Sequence, residues 1–295
     1  MGTVQLLVNH KADVNAGGER FASALSAAAW MDIVQHLLDH DADINATGKS
    51  LASLLVSAVT KGHADVVQLL LDSGADVGAV NSASTGCALM AAAQHSRVLI
   101  AKLLLERGAN MQCPHCGVGD TFHMNPLVIA SGKGDLEAMK LFPQHGADPN
   151  VRRYHRHFTR DSWFMSTPLL SAIERGNVEA MRLLLDYGAD PNLRVPNHYF
   201  SGFSFLPFQQ AVRSEHDTEM VELLLDHGAN PYETDGDKAG RLGEDKAEVL
   251  AWSLDKMELA TLIREHMMKY SEEECLAKFT KKNGSNEGNS DDIGE

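Results

Sequence analysis

One motif recurs along the chain: apolar residues, a leucine-rich stretch and then Gly-Ala-Asp or Gly-Ala-Asn. Clear copies occupy residues 66–76, 99–110, 180–190 and 220–230, and weaker copies occupy residues 4–13, 33–43 and 137–148. The alanine of the motif falls at positions 12, 42, 75, 109, 147, 189 and 229, so a base period near 33 residues lengthens later in the chain. Such a period predicts stacked repeats, because each unit can bury its apolar face only against its neighbours.

Each repeat is predicted to contain two helices, since a short Ala/Leu-rich segment precedes the motif. In the segment 167–177, the hydroxyl of Thr167 can cap a helix, and Pro168 suits the first helical position. Gly176 and Gly188 are then expected to end the first and the second helix, because a left-handed C-terminal residue favours glycine. Pro143 stands inside the second helix of its repeat and is predicted to end that helix a turn early.

This pattern resembles the ankyrin repeat family over roughly residues 1–270. The resemblance implies an all-α solenoid of stacked helix-turn-helix units, with loops or β-hairpin fingers projecting along one edge. The first copy of the motif starts with the chain, so we expect a partial first repeat over 1–16, from a fragment or a misassigned start. Full repeats are expected to about residue 232, a degenerate C-terminal cap over 247–270 and a disordered polar tail over 271–295.

The composition argues against several classes of protein. A net charge of −14 disfavours nucleic-acid binding, because the phosphate backbone attracts clustered positive charge. No stretch reaches 18 consecutive apolar residues, so no membrane span is expected. Four cysteines in 295 residues are too few for a disulfide framework, which favours a reducing compartment. We therefore expect a soluble cytoplasmic monomer without a cofactor, with the nucleus as the alternative compartment.

No catalytic motif is found, including the nucleophile elbow, the phosphate loop and the dinucleotide fingerprint. Four of the 14 histidines, His10, His40, His145 and His227, share one repeat position near the end of the second helix. An imidazole suits a helix C-terminus, where it complements the dipole. The sequence therefore predicts a protein that is not an enzyme.

The longer spacing in the later repeats comes from insertions between the motif and the next helix. These insertions predict three enlarged fingers, at about 113–125, 151–166 and 193–206, and a further long connection at 230–247. Consecutive fingers of a solenoid stand side by side, so they are expected to form one continuous surface. Long connections in compact proteins are usually functional or disordered, and the density of aromatic residues in the second and third fingers argues against disorder.

The second and third fingers have the composition of a binding surface. The second is rich in arginine within an acidic chain, and aromatic residues are concentrated in both. Arg, Tyr and Trp are the residue types that dominate interface hot spots. The alternative is that the fingers pack only on each other. The candidate partner-binding residues are Arg152, Arg153, Tyr154, Arg156, Phe158, Arg160, Trp163, Tyr199 and Phe200.

The stretch from Cys113 to Cys116, Cys-Pro-His-Cys, has three interpretations. A redox site is disfavoured, because the thiol that reacts needs a helix N-terminus and glycine-rich sequence follows. Zinc needs four ligands, and only His123 and His157 (or His155) stand within reach of the two cysteines. A plain loop is the favoured interpretation.

Three functions follow from these observations. The first is a scaffold or adaptor that binds another protein, with an acidic segment, through elongated fingers on the concave side of the solenoid. The second is a substrate-receptor or regulatory ankyrin module cut from a larger protein. The third and least favoured is a zinc-stabilised finger site at Cys113 and Cys116.

Overall fold

The computed structural model describes residues 2–15, 31–45, 54–81, 86–111, 125–156, 163–196, 204–214, 217–233, 251, 254–271, 274 and 277. The chain divides into two compact units. The first consists of Met1–Pro126 with Gln144–Gly146, and the second of Leu127–Pro143 with Ala147–Glu295.

The described part of the first unit contains six helices and one short hairpin. They are α1 (Gly2–Asn9), α2 (Met31–Leu38), α3 (Leu54–Lys61), α4 (Ala64–Asp72), β1 (Val80–Asn81), β2 (Gly86–Cys87), α5 (Ala88–Gln94) and α6 (Val98–Glu106).

The second unit repeats this plan with longer hairpins, and α7 and α8 lie in it except for one terminal residue each. Its elements are α7 (Pro126–Lys133), α8 (Leu136–Gln144), β3 (Arg153–Arg156), β4 (Trp163–Ser166), α9 (Pro168–Glu174), α10 (Val178–Asp186), β5 (Val195–Pro196), β6 (Ser204–Phe205), α11 (Pro207–Arg213), α12 (Asp217–Asp226) and α13 (Met257–Lys269).

Helices pack as pairs within each unit, and the pairs stack on one another. In the first unit α3 packs on α4 and α5 on α6, and in the second α9 packs on α10 and α11 on α12. One position of the leucine-rich motif points into the stack in six repeats and is 0–1% exposed in each. Its residues are Leu37, Leu70, Leu104, Phe142, Leu184 and Leu224. Burying such a side chain contributes roughly 1.5–3 kcal/mol.

The second helix of every repeat ends in the same hydrogen-bonded turn. The N–H of the motif alanine donates to the carbonyl five residues earlier, at 2.9–3.1 Å. The residue before the alanine has a positive φ in all seven repeats, and it is glycine in five of them. Gly176 and Gly188 have φ values of 64° and 88°, which confirms their predicted role at the ends of helices.

Side-chain amides bridge neighbouring repeats just after this turn. Asn150 donates from Nδ2 to the Gly188 carbonyl at 3.1 Å and accepts from the Asp190 N–H at 2.7 Å. Asn192 makes the same pair of bonds to Gly228 and Asn230. In the first unit, Asn15 bridges to Asp41 and Asp43, and Asn45 bridges to Gly74 and Asp76.

The last described repeat replaces this amide with a longer side chain. Tyr232 stands where Asn192 stands one repeat earlier, and its hydroxyl contacts the carbonyls of Met267 and Tyr270 at 2.8 and 3.1 Å. At the other end of α13, the ammonium of Lys256 donates to the carbonyls of Val212 and Ser214. These two side chains attach α13 to the preceding repeat.

The prediction that Pro143 shortens its helix is wrong. α8 runs through Pro143 to Gln144, and so ends three residues before the motif alanine, as α10 does before Ala189. Proline in this position removes only the hydrogen bond that residue 143 would donate to the carbonyl of Met139. Because Pro143 lies in the last turn, the N–H of Ala147 still closes the helix on the Phe142 carbonyl at 3.0 Å.

Three of the repeated histidines have the role predicted for them. Nδ1 of His10, His40 and His227 lies 2.7–2.8 Å from the carbonyl oxygen four residues earlier, in the last turn of its helix. Of the predicted tail, the structure describes Ser271, Glu274 and Ala277. Ser271 and Glu274 form a reciprocal capping box. The boundaries of the repeat domain, its cap and its tail stay predictions. In the described ranges no helix is long and apolar enough to cross a membrane.

Candidate functional site

The second finger is anchored to the first turn of α9. Thr167 caps this helix, as predicted, with its hydroxyl accepting from the Leu170 N–H at 3.2 Å, and Pro168 is the first helical residue. The preceding residue, Ser166, is fully buried, and its hydroxyl lies 3.2 Å from that of Ser171. The last residue of β4 is therefore held against the helix by two buried hydroxyls.

The finger itself is an antiparallel hairpin of β3 and β4. The ladder pairs Arg153 with Ser166, Tyr154 with Met165, His155 with Phe164 and Arg156 with Trp163. Residues opposite each other in such a ladder share a face, and successive residues along a strand alternate between faces. We call the first set of residues the Trp163 face: Tyr154, Arg156, Trp163 and Met165. The second set is the Ser166 face: Arg153, His155, Phe164 and Ser166.

The two residues that lead into β3 differ in burial. Val151 is 7% exposed, whereas Arg152 is exposed. Val151 has the same parity along the chain as Arg153, and Arg152 has the same parity as Tyr154. Val151 and Ser166, which lie on the same side of the hairpin by this parity, are therefore both buried at its base.

The third finger lies beside the second. Its strands β5 and β6 pair Val195 with Phe205 and Pro196 with Ser204. β4 contacts β5, and Val195 is fully buried. This arrangement confirms that these two fingers are neighbours. The first predicted finger, 113–125, lies outside the described residues except for Asn125.

Charged groups cluster at the bases of these two fingers. Burial raises the pKa of the Asp190 carboxyl, and nearby Glu233 raises it further. The N–H of Asn192, 2.8 Å from Asp190 Oδ1, and the guanidinium of Arg152 oppose this rise. Glu233 also accepts a hydrogen bond from Nε of Arg194 at 2.7 Å. The finger bases therefore bring two cations, Arg152 and Arg194, close to two anions, Asp190 and Glu233.

A second carboxyl with unusual chemistry ends α9. Surrounding protein atoms dehydrate Glu174 and raise its pKa to about 7, against the opposing charge of Arg175. Glu174 is nevertheless exposed, and solvent that reaches its carboxyl weakens the effect of this pKa shift on stability.

Comparison with known proteins identifies this architecture. The family model described as ankyrin repeats (3 copies) matches residues 32–115, 55–153 and 154–235, more than half of the chain. The chain belongs to the ankyrin repeat family. Such repeats are generally protein–protein interaction modules and are typically non-catalytic.

Solved structures agree on the fold. The crystal structure of the human ASB11 ankyrin repeat domain is 22% identical in sequence, with a TM-score of 0.59, over 82% of this chain and 97% of that chain. At this identity the likeness supports the fold alone. Comparison with curated proteins gives no match.

The predicted partner-binding residues belong to the second and third ankyrin fingers, and the structure describes five of the nine. Arg152 is exposed at the base of the second finger. Arg153, Tyr154 and Arg156 lie in β3 and Trp163 in β4. The structure thus separates Arg153 from Tyr154, Arg156 and Trp163, which share the other face. Four candidates lie outside the described residues: Phe158, Arg160, Tyr199 and Phe200.

The zinc hypothesis stays a prediction. Its candidate ligands Cys113, Cys116, His123 and His157 lie outside the described residues. Across the part of the chain that the structure describes, no group of three or more His, Cys, Asp or Glu could hold a metal ion.

Sequence reasoning missed the polar residues that support the fingers. Ser166 and Ser171 are unremarkable in sequence, and Gln209 occupies a position inside α11. Gln209 is 1% exposed and donates from Nε2 to the Glu233 carbonyl at 2.8 Å. The available signal in the sequence was Gln209 itself. It is a polar residue at the repeat position that Leu170 occupies in the preceding ankyrin repeat, and a polar residue there needs a hydrogen-bond partner when it is buried.

Proposed function

We propose that this ankyrin protein is a non-catalytic scaffold or adaptor. It binds an acidic segment of a partner protein through the second and third fingers, 151–166 and 193–206, on the concave side of the repeats. The observation that carries the proposal is the β3–β4 ladder, which groups Tyr154, Arg156 and Trp163 on one face next to the exposed Arg152.

Charge supports an acidic partner. The chain has a net charge of −14, so a local concentration of arginine is a departure from its general composition. The second finger contains Arg152, Arg153, Arg156 and Arg160 with Asp161 as its one acid. Complementary charge speeds encounter and selects partners more than it adds raw affinity. A basic finger on an acidic protein would orient an acidic segment towards that finger.

Packing of the two fingers supports a shared binding surface. β4 and β5 are in contact, and their supporting residues Ser166 and Val195 are both fully buried. A surface on a supported hairpin loses less conformational entropy on binding than one on a loose loop. The contacting bases of the two fingers therefore offer a preorganised support for a partner.

The test replaces four finger residues at once. The variant Arg153→Ala, Tyr154→Ala, Arg156→Ala and Trp163→Ala is expected to lose binding to a fluorescently labelled polyglutamate peptide, measured by anisotropy. Its melting temperature is expected to change little, because the buried anchors Ser166 and Thr167 remain.

A matched control removes two positive charges elsewhere. Lys140→Ala with Arg182→Ala changes net charge by the same amount on the exposed surfaces of α8 and α10. This variant is expected to bind polyglutamate as the unmodified protein does. Equal binding by the finger variant would overturn the proposal, and a large drop in its melting temperature would show that the fingers only pack on themselves.

A further inference from the structure

The junction between α12 and α13 differs from the junctions between earlier repeats. A groove of about 360 Å³ lies between these two helices, within the second unit. We propose that this groove, which we call the α12–α13 groove, binds an arginine-containing segment of a partner protein. The inference does not rest on the proposed function, because it concerns another surface and a ligand of opposite charge.

In earlier repeats, the acid that ends a second helix faces a base of the next repeat. Asp72 at the end of α4 contacts the guanidinium of Arg107 at 2.8 Å. Asp186 at the end of α10 lies 3.5 Å from Nε2 of His227. In each repeat the acid stands two residues, and the base three residues, after the buried core position. The repeat thus has a fixed place for a charge pair between neighbouring units.

This pairing stops at α12. Asp226 ends α12 at the same repeat position, and the core residues Leu224 and Ile263 are both fully buried. Counting from Ile263 makes His266 the matching base in α13. Among the described residues, however, Asp226 has no ion pair with His266, and both side chains line the groove. The groove therefore lies where two earlier junctions have a charge pair.

A second pair between repeats has lost its cation at the same junction. Arg182 of α10 lies 3.8 Å from Glu219 of α12. One repeat later the matching positions hold Glu222 and Glu258, so an acid replaces the arginine. Glu222 lines the groove, and Glu258 is exposed in the first turn of α13. Like charges repel, so this junction has an excess of negative charge.

The groove itself is lined by more acids than bases. Glu222 and Asp226 line it from α12, and Glu265 lines it from α13. Within the described ranges, no ion pair reaches any of these three carboxylates. Lys269 also lines the groove, but its ammonium lies 5.1 Å from the centroid of the Tyr270 ring. A cationic ligand would therefore supply the positive charge that is missing from this junction.

The rest of the lining favours arginine over lysine. Leu225, which is 3% exposed, and Leu262 line the groove from the two helices, and the rings of His266 and Tyr270 lie 4.8 Å apart at its side. A guanidinium is planar and more weakly hydrated than an ammonium, and it stacks on aromatic rings. It can donate to carboxylates on both helices while its aliphatic stem lies against the leucines.

The experiment measures the binding of labelled peptides to the full chain by anisotropy. The first peptide is Gly-Ser-Arg-Leu-Thr-Arg-Ser-Gly, and the second has lysine in place of both arginines. The arginine peptide is expected to bind about tenfold more tightly, because only a guanidinium combines stacking with several directed hydrogen bonds. Equal affinities, or no binding of either peptide, would overturn the inference.

Neutral replacements test the location of the site. Asp226→Asn with Glu265→Gln keeps the shapes of the side chains and is expected to weaken binding of the arginine peptide about tenfold. The matched control, Glu137→Gln with Glu179→Gln, removes the same charge from exposed positions on α8 and α10. It is expected to bind as the unmodified protein does. Equal losses in both variants would show a general attraction to an acidic chain and would contradict the inference.

A reciprocal variant restores the charge of the earlier junction. Glu222→Arg places an arginine at the repeat position of Arg182, with Glu258 at the position of Glu219. It is expected to abolish binding of the arginine peptide, because the groove then contains a cation of its own. Its circular dichroism is expected to match that of the unmodified protein. Undiminished peptide binding by this folded variant would overturn the inference.

Two other occupants of the groove are outcomes of the same measurements. The chain has basic residues of its own at Lys278, Lys281 and Lys282, outside the described residues. Replacing all three with alanine is expected to leave peptide affinity unchanged, and tighter binding would assign the groove to this segment instead. Sedimentation velocity is expected to show no dimer that Asp226→Asn with Glu265→Gln dissociates. Such a dimer would assign the groove to a second copy and would also overturn the inference.

The finger variant separates this inference from the proposed function. The four-residue finger variant is expected to bind the arginine peptide as the unmodified protein does. The groove variant Asp226→Asn with Glu265→Gln is expected to retain binding to polyglutamate. Loss of arginine-peptide binding in the finger variant would place that binding outside the groove and contradict the inference, whereas failure of polyglutamate binding alone would contradict only the proposed function.

Discussion

The first two repeats and the repeats built on α9 to α12 have one backbone plan and different residues. The turn after the second helix has Lys11 and Asp41 at positive φ in the first two, but Gly188 and Gly228 in the later two. The hydrogen bond that closes the turn measures 2.9–3.1 Å in all four. The repeat period therefore determines the turn geometry, and the residue in it determines how much strain the turn contains.

Burial differs between the first repeat and the later two. Leu7 is 53% exposed, although the matching residues Leu184 and Leu224 are fully buried. Ala12 is likewise exposed, while Ala229 is fully buried. The first repeat thus gains less from apolar burial than the later repeats, and its turn contains more backbone strain. We expect it to open at lower free energy than the later repeats.

The largest expected effect comes from truncating the shared leucine position. Leu184→Ala is expected to lower the free energy of unfolding by about 3 kcal/mol, because it leaves a cavity in the stack. Leu7→Ala is expected to cost about 0.5 kcal/mol, since solvent already reaches that side chain. Urea unfolding followed by circular dichroism measures both. Equal losses would show that the two regions are equally packed.

A smaller effect is expected from the bridging amides. Asn192→Ala removes two hydrogen bonds between repeats in a partly buried site, at an expected cost of about 2 kcal/mol. Asn15→Ala removes the same two bonds in an exposed site and is expected to cost about 0.5 kcal/mol. Hydrogen exchange at the Asn230 and Asp43 amides, which these side chains hold, reports each loss locally. A larger loss of protection at Asp43 would reverse the comparison.

Exchanging the turn residues tests backbone strain directly. Lys11 has a φ of 59°, so Lys11→Gly is expected to stabilise its repeat by about 1 kcal/mol. Gly74→Lys is the reciprocal change, at a φ of 90° where an added Cβ meets no atom within 4 Å. It is expected to destabilise by about 1 kcal/mol through strain alone. Thermal unfolding of both variants checks the pair, and shifts of the same sign would contradict the strain argument.

The smallest expected effect is a pH dependence of the melting temperature, which arises from Glu174 in the later repeats. The pKa of Glu174 is raised from 4.5 to about 7, so the folded state favours its protonated form. The stability that it contributes is fully present below pH 4.5 and is lost as the pH rises through about 7. Glu174→Gln is expected to flatten the fall in melting temperature between pH 5 and pH 8, because the amide does not titrate.

The control for this measurement is Glu179→Gln, an exposed acid at the start of α10. It is expected to leave the pH profile unchanged. A profile that is identical in the unmodified protein and in Glu174→Gln would show that solvent screens the carboxyl fully.

The site was only partly predictable from the sequence. The positions of the fingers follow from counting residues between motif alanines, and their composition shows where arginine and aromatic residues collect. Whether Arg153 and Arg156 act together could not be predicted. That depends on strand register, and a shift of one residue moves every side chain to the other face. The roles of Tyr232 and Lys256 were equally hidden, because their partners lie 35 or more residues away along the chain.

By itself the sequence determined the repeat period, the helix ends at Thr167, Gly176 and Gly188, and the family. All of these depend on contacts within one repeat or on a pattern that recurs. The tertiary structure decided that Leu7 is exposed while Leu184 is buried, and that Ser166 is buried where the second finger joins α9. These outcomes depend on which neighbour each residue meets across the stack, and a local pattern contains no information about that neighbour.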